Sequence, residues 1–208
     1  MTARTAFEPG LLGRRCWLEL ASGERISLPV HRWRAAPEAG DELLLRRCGG
    51  PTLDVGCGPG RLTVALVRRG VAALGVDISA VAVRLTLARG APAIRRDVFG
   101  RLPGTGRWAH VLLADGNIGI GGDPVRLLRR VRELLGVAGS ALVELEAPGT
   151  GLRRDQVRVA GPASAPAAWF EWAWLGADAV ERTARAAGLA TRWVREQSGR
   201  WFTELARP

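Results

Sequence analysis

The residues with the clearest chemical potential follow a short apolar run. In PTLDVGCGPG (51–60), Gly56, Gly58 and Gly60 stand between a strand-like segment and a helical pattern, and Asp77 ends the next strand-like segment. A glycine-rich turn before a helix lets backbone N–H groups approach a polar or anionic ligand. An acidic residue at the end of the next strand can accept hydrogen bonds from ribose hydroxyls. The spacing therefore predicts a site for a nucleotide or another adenosine ligand.

The loop departs from the dinucleotide fingerprint at one position. That fingerprint needs G-x-G-x-x-G, whose third glycine allows close packing of the helix on the strand. Here Arg61 holds the third position and Gly60 comes one residue early. Asp77 suits a dinucleotide and other adenosine ligands equally, so the features that argue against a dinucleotide are Arg61 and the antiparallel pair of strands at the end of the chain.

Absent residue types exclude several other chemistries. All 30 basic residues are arginine, and the chain has no tyrosine. Without lysine there is no Walker A phosphate lysine, no kinase lysine and no pyridoxal Schiff base. A Tyr-x-x-x-Lys dehydrogenase pair is excluded for the same reason.

Strand-like and helical segments alternate from residue 51 onward. This alternation predicts a parallel sheet covered by helices on both faces. Ser79 and Asp123 are suited to be helix N-caps, the latter followed by Pro124. The predicted strands are 52–56, 72–77, 92–97, 108–115 and 140–146, and the predicted helices are 39–48, 60–69, 79–89, 124–135 and 177–187.

The two ends of the chain have different patterns. Residues 16–30 predict a hairpin around Ser22-Gly23. Residues 149–168 are rich in Gly, Ala and Pro and predict an irregular excursion, which 169–175 connects to the next helix. The last two strand-like runs are separated only by Ser198-Gly199, which requires them to be antiparallel.

Four segments carry a family resemblance. LDVGCGPG, GVDIS (75–79), RDVF (96–99) and LLADGN (112–117) resemble the successive motifs of class I S-adenosylmethionine-dependent methyltransferases. The resemblance covers about residues 39–207. It implies an α/β fold with a Rossmann-like, doubly wound, mostly parallel seven-stranded sheet and an antiparallel last strand. We expect an N-terminal hairpin or lid over residues 1–38 and a methyltransferase domain over 39–208, with an acceptor-side lid at 148–175.

The resemblance implies roles for the acidic residues at the strand ends. Asp54 would hold the ammonium of S-adenosylmethionine, Asp77 the two ribose hydroxyls, and Asp97 with the backbone of Val98 the adenine edge. Asp54 and Asp97 have structural alternatives, as a partner of the loop and as a cap of the following turn. The implied cofactor site also includes Gly56, Cys57, Gly58, Gly60, Ile78 and Asp115, with Cys57 as a small filler.

A base for methyl transfer is expected at the carboxyl edge of the sheet or on its lids. Asp115 and Glu146 follow predicted strands, and His31 lies in PVHRW, where it could fold over the cofactor mouth or lie on the surface. His110 is at the opposite end of its strand, so we interpret it as structural. No His, Cys or Asp cluster has metal-ligand spacing, so no metal site is predicted.

Candidate acceptor contacts come from the loop 115–124 and from tryptophans. The loop contains Asn117 and Ile118, and its glycines would let it wrap closely around a ligand. Trp33, Trp169, Trp172 and Trp174 flank the core motifs and either form an acceptor pocket or pack the lids down. Trp193 and Trp201 are expected in the core of the terminal hairpin.

The composition of the chain indicates which classes of partner and which cellular location to expect. The net charge of +10 comes from scattered arginines and fits a GC-rich bacterial coding bias, so we do not expect a nucleic-acid partner. Three distant cysteines argue against a disulfide framework, and no segment resembles a signal peptide or a membrane span, so a cytoplasmic protein is expected. The oligomeric state is not indicated.

Three hypotheses follow. The first is an enzyme that methylates a small molecule. The second is an RNA or protein methyltransferase whose basic surface steers the substrate; the sequence DGNI stands where amino-methylating nucleic-acid enzymes have Asn-Pro-Pro-aromatic. The third is a cofactor-binding module without catalysis.

Overall fold

The computed structural model describes residues 6–162 and 167–208. In these two ranges the chain forms eleven strands, seven α-helices and a 3-10 segment, Asn117–Gly122. The strands are β1 (Trp17–Leu20), β2 (Arg25–Ser27), β3 (Thr52–Val55), β4 (Ala73–Asp77), β5 (Ala93–Arg95), β6 (Trp108–Leu113), β7 (Leu135–Leu145), β8 (Leu152–Ala160), β9 (Phe170–Leu175), β10 (Ala190–Gln197) and β11 (Arg200–Ala206). The helices are α1 (Glu8–Leu11), α2 (Val30–Arg34), α3 (Ala39–Leu45), α4 (Arg61–Arg68), α5 (Ala80–Ala88), α6 (Pro124–Leu134) and α7 (Val180–Ala186).

The main sheet has the predicted seven strands and the predicted mixed direction. Its order is β10-β11-β7-β6-β3-β4-β5, with parallel pairing from β7 through β5. β11 is antiparallel to both of its neighbours, β7 and β10. The turn between β10 and β11 is Ser198-Gly199, and both residues have positive φ, as a type I′ hairpin turn requires. The Rossmann-like fold class is confirmed.

Most element bounds agree with the sequence pattern. The hydroxyl of Ser79 accepts hydrogen bonds from the N–H groups of Val81 and Ala82, and Asp123 caps α6 ahead of Pro124. β7 begins earlier than expected, since Leu135 already pairs with Trp108 of β6. The short helices α1 and α2 were not predicted.

The segment expected to be irregular instead forms a second sheet. β8 and β9 extend the N-terminal hairpin into an antiparallel sheet of order β2-β1-β8-β9, which we call the small sheet. The interpretation of 149–168 as irregular and of 169–175 as a connection was therefore wrong for these strands. Three arginines within LRRDQVRVA hid the strand alternation of β8, whose second half is buried. Residues 163–166 of the expected excursion lie outside the described residues.

The small sheet has its own core and packs at the carboxyl edge of the main sheet. Leu18, Leu20, Val157 and Val159 are buried in that core. A bridge between Glu146 and Gly176 joins the end of β7 to the residue after β9. The hairpin at the front of the chain and the segment after β7 therefore make one cover. In the described ranges, no helix is long and apolar enough to cross a membrane.

Candidate active site

One large cavity, of about 750 Å³, lies between the two sheets. The carboxyl ends of β3, β4, β6 and β7 line one side of it, and β1, β2, β9 and α2 line the other. In open α/β sheets, ligands bind outside the carboxyl ends of the strands. The cavity is therefore where the fold places a ligand site.

The glycine loop forms one wall of this cavity. Gly56 has φ +70°, and a Cβ there would lie 2.7 Å from the amide of Asn117. That amide donates to the carbonyl oxygens of Val55 and Gly56, at 2.9 and 3.0 Å. Glycine is thus required at position 56 by the packing of Asn117, in addition to any need to leave space for a ligand.

Asp77 is held in place by the backbone around it. One carboxylate oxygen accepts from the N–H of Gly58 at 3.0 Å, and the other accepts from the N–H of Ser79 at 2.8 Å. A carboxylate has about four lone-pair sites, so each oxygen retains acceptor capacity toward the cavity. Burial raises the pKa of Asp77, and these backbone hydrogen bonds oppose the rise. The residue is positioned to receive two hydroxyl donors.

Asp54 lies at the end of β3, and its side chain is buried. The hydroxyl of Thr63 donates to it at 2.6 Å. Burial raises the pKa of Asp54 to about 6, with Thr63 and Arg61 opposing the rise and the Asp115 carboxylate adding to it. A cation in the cavity would restore the ionised form, so the site fits an ammonium group.

Most of the other residues predicted to bind the cofactor line the cavity. Cys57, Gly58, Ile78 and Val98 line the cavity, as does Asp97, whose carboxylate also accepts from the N–H of Phe99 at 2.9 Å. The buried Cys57 thiol lies 3.8 Å from the hydroxyl of Thr86, and its burial raises the thiol pKa well above the ordinary value.

Gly60 is not in the cavity lining. It is the N-cap of α4 with φ +83°, and a Cβ there would lie 2.6 Å from Thr86. The structure therefore gives Gly60 a role in the packing of α4 on α5 and does not support its predicted contact with the cofactor.

Six charged side chains meet beside the loop and form what we call the charge cluster. Arg61 is 3% exposed and pairs with both Asp41 and Asp115. Arg200 donates to Asp41 at 3.0 Å and to both oxygens of Glu144, at 2.8 and 2.7 Å. The members of the cluster are Arg32, Arg61, Arg200, Asp41, Asp115 and Glu144, three of each sign.

Asp115 is the member of the charge cluster that the sequence predicted as a base for methyl transfer. Arg32 contacts one of its oxygens at 3.0 Å, and Arg61 binds the other. Asp115 has φ +53°, and Glu144 accepts its backbone N–H at 2.7 Å, which stabilises this unusual conformation. Burial raises the pKa of Asp115, while Arg61 and Arg32 oppose the rise. Because both oxygens are engaged by guanidinium groups, Asp115 is poorly suited to accept a substrate proton.

Glu146 differs from Asp115 in having no ion-pair or hydrogen-bond partner for its carboxylate in the described ranges. Its backbone is fixed, since its N–H donates to Leu175 and its carbonyl accepts from Ala177. The side chain reaches solvent and also lines the cavity. Partial burial raises its pKa, and the nearby Glu144 carboxylate adds to the effect. Of the two predicted carboxylate bases, Glu146 has the better geometry.

The histidines take no part in the cavity lining. His31 is exposed on α2, and the following residues, Arg32 and Trp33, line the cavity instead. The structure therefore does not support the prediction of His31 as a base, because α2 directs the neighbouring side chains into the cavity instead. His110 lies 3.1 Å from the Ser140 hydroxyl at the amino end of the sheet, in keeping with a structural role.

The loop after β6 is a wall between the two sheets. A Cβ at Gly119 would lie 2.7 Å from the Trp172 ring, and one at Gly122 would lie 2.5 Å from Glu171. Asn117 lines the cavity, but Ile118 is 2% exposed and belongs to the main core. The structure does not support the predicted contact of Ile118 with substrate, because its side chain packs into the main core.

An aromatic group covers the far side of the cavity. Ring centroids of Phe7 lie 6.4, 5.7 and 5.6 Å from those of Trp33, Phe170 and Trp172. All four rings line the cavity. Trp169 is 44% exposed and lies outside the cavity lining, under the guanidinium of Arg158, so the structure does not support its predicted role as a substrate contact. Trp169 immediately precedes β9. Because the side chains of adjacent residues in a strand point to opposite faces of the sheet, Trp169 does not share the cavity face of Phe170 and Trp172.

Several residues in this site were not predicted. Glu144 could have been found, because it precedes Glu146 by two residues and therefore lies on the same face of β7. Arg32 is adjacent to the predicted His31. Asp41, Arg200 and Phe7 had no sequence signal, since only the fold brings them to the cavity.

Comparisons with known proteins identify the fold and its core. The family model described as a methyltransferase domain matches residues 53–139, less than half of the chain. No curated protein matches the chain in sequence.

Solved structures match over much more of the chain. A methyltransferase from Bacteroides fragilis in complex with S-adenosylhomocysteine has a TM-score of 0.77 and 19% identity, covering 98% of this chain and 93% of that one. A sugar N-methyltransferase from Streptoalloteichus has a TM-score of 0.64 and 19% identity, covering 85% and 90%. The 1,6-didemethyltoxoflavin N1-methyltransferase of Burkholderia thailandensis has a TM-score of 0.59 and 17% identity, covering 80% and 76%.

These likenesses agree with the motifs and with the cavity. At identities this low, the solved structures support the fold alone. The residues matched by the family model, 53–139, include the glycine loop, Asp77 and Asp115. The chain therefore contains a core that matches a methyltransferase domain, and its fold is that of the S-adenosylmethionine-dependent methyltransferases compared above.

Proposed function

We propose that this chain transfers the methyl group of S-adenosylmethionine to a small molecule held between the glycine loop and the small sheet. The observation that carries the proposal is the single cavity of about 750 Å³ shared by the loop and the aromatic cover. Pockets of roughly 300–1,000 Å³ accommodate small ligands. The size is thus suited to a cofactor with a compact acceptor beside it.

The residues around the loop fit the cofactor. Asp77 would accept the ribose hydroxyls, Asp54 would pair with the ammonium, and Gly58 would lie along the methionine part. Asp97 and Val98 would contact the adenine. When bound, S-adenosylmethionine would supply a methyl group attached to a sulfonium sulfur, and the neutral thioether released from it is an excellent leaving group.

The chain's own contribution is orientation, exclusion of water and proton removal. Trp33 and Trp172 would hold the body of the acceptor and keep water out. Glu146 would accept the acceptor's proton, since its carboxylate has no competing protein donor in the described ranges. The Asp115 carboxylate, held by Arg32 and Arg61, would shape the wall near the transfer point.

The charge of the cavity favours a small molecule over a nucleic acid. Seven acidic residues and four arginines line it, although the chain as a whole carries +10. An acidic lining repels phosphate. The names of two of the compared structures, a sugar N-methyltransferase and a toxoflavin-precursor N1-methyltransferase, also support a small acceptor.

A labelling experiment tests the proposal. The purified protein is incubated with S-adenosylmethionine carrying a radioactive methyl group, together with a low-mass metabolite extract, total RNA or a protein extract. We expect label to enter the low-mass fraction, with release of S-adenosylhomocysteine, and Asp77→Ala to prevent it. Label found only in RNA or protein would contradict the proposal, and no label in any fraction would favour a non-catalytic binding module.

A further inference from the structure

Four of the six aromatic side chains that line the cavity carry no stacked guanidinium group in the described ranges. In the part of the chain that the structure describes, guanidinium groups stack on six rings at 4.1–5.8 Å from the ring centroid. Two of these six, Phe99 and Trp174, line the cavity, whereas no guanidinium group stacks on its other four rings, Phe7, Trp33, Phe170 and Trp172. The faces of these four rings are therefore not occupied by a protein cation.

The four rings pack against one another through edge-to-face and tilted contacts. Phe170 and Trp172 meet at 87° with centroids 6.1 Å apart, and Phe7 meets Phe170 at 62°. Aromatic faces carry partial negative charge and attract cations, most strongly where water is excluded. This arrangement is suited to a positively charged group on a ligand.

The charges of the cavity lining agree with a cationic ligand. Arg32 and Arg61, two of the four lining arginines, are already neutralised within the charge cluster. Glu146, by contrast, faces the cavity with no ion-pair partner in the described ranges. An ammonium group on the acceptor could pair with the Glu146 carboxylate, which neither an anionic acceptor nor a neutral alcohol could do.

We infer that the methyl acceptor is an amine, bound as its ammonium form by the four aromatic rings and by Glu146. This inference deepens the proposed function and rests on methyl transfer to a small molecule. It assigns the cavity rings to recognition of the cation and Glu146 to proton removal.

The inferred step is balanced in protons and electrons. One ammonium proton moves to the Glu146 carboxylate and leaves a neutral amine. The nitrogen lone pair then forms the N–C bond to the methyl group while the C–S bond breaks and its electron pair stays on sulfur. The products are an N-methylammonium ion and a thioether, and Glu146 returns its proton to solvent on its exposed side.

Binding of matched probes tests this inference without relying on turnover. Calorimetry on protein saturated with S-adenosylhomocysteine compares benzylamine with benzyl alcohol and tryptamine with tryptophol. We expect each amine to bind at least about tenfold more tightly than its alcohol, because the alcohol lacks the charge that the rings and Glu146 attract. Glu146→Gln should remove most of that preference and leave alcohol affinity unchanged.

Two further variants keep the test specific. Trp33→Leu should weaken amine binding more than alcohol binding, and Glu181→Gln, in an exposed pair on α7, should behave as the wild-type protein. Equal binding of amines and alcohols to the wild type, or an undiminished preference for amines in Glu146→Gln, would overturn this inference and leave the proposed function standing. Failure of both kinds of probe to bind would count against the small-molecule proposal and this inference together.

Discussion

Replacement of Arg61 by methionine should destabilise the protein by about 3 kcal/mol. Arg61 is 3% exposed and pairs with Asp41, which is fully buried, and with Asp115. Removing one partner of a buried ion pair costs about 3–5 kcal/mol, because the remaining charge stays desolvated. Here Arg200 remains 3.0 Å from Asp41 and Arg32 remains 3.0 Å from Asp115, so the lower end of the range applies.

Urea unfolding, followed by tryptophan fluorescence, measures this loss. The control is Arg185→Met, which removes an exposed pair with Glu181 and should change stability by less than about 0.5 kcal/mol. The double variant Arg61→Met with Asp41→Asn should lose less stability than the sum of the losses in the two single variants. Each single variant leaves one charge of the Arg61–Asp41 pair without that partner, and the double variant removes both charges. A stability for Arg61→Met within about 1 kcal/mol of the wild type would refute this account of the charge cluster.

Two other predictions concern the glycine loop and the junction between the sheets. Since the pKa of Asp54 is raised to about 6, the ionised form that pairs with an ammonium predominates only above that pH. Affinity for S-adenosylhomocysteine should therefore rise about tenfold from about pH 5 to about pH 7, whereas an equally steep rise in Asp54→Asn would contradict the assignment. Gly119→Ala should lower the free energy of unfolding by about 1–3 kcal/mol, because its Cβ would meet the backbone of Ala173 and the ring of Trp172. Gly49→Ala, with open space around it, is the matched control in chemical denaturation, and equal stability of the two variants would contradict this packing.

The sequence predicted the main sheet well, for reasons that are local. Strands β3, β4, β6 and β7 are apolar runs, and the caps Ser79 and Asp123 mark helix starts. The final antiparallel pair followed from a two-residue turn, which leaves no room for a crossover. Each of these signals lies within a few residues of the element that it defines.

The small sheet was predicted only in part. The hairpin of β1 and β2 had a turn signal, but β8 joins β1 across the chain and its arginines obscured the alternation. Pairing between distant strands leaves no local mark in a single sequence.

The site shows the same division. The loop and Asp77 were predicted from spacing, whereas the charge cluster joins Arg32 to Asp115 and Asp41 to Arg200 across long stretches of chain. His31 and Arg32 are neighbours in a polar run, and only the orientation of α2 decides which one faces the cavity. Which of two neighbouring side chains faces the cavity depends on how the helix packs, and the sequence alone does not show this.

We expect the glycine loop and Asp77 to bind S-adenosylmethionine. Calorimetric titration of S-adenosylhomocysteine into the wild type, Asp77→Ala and the control Asp155→Ala tests it most directly. We predict that Asp77→Ala keeps a wild-type circular dichroism spectrum but loses about 100-fold or more in affinity, because two charge-assisted hydrogen bonds are removed. Asp155, which is outside the cavity lining, should have no effect when replaced. Unchanged affinity in a folded Asp77→Ala variant would contradict the account.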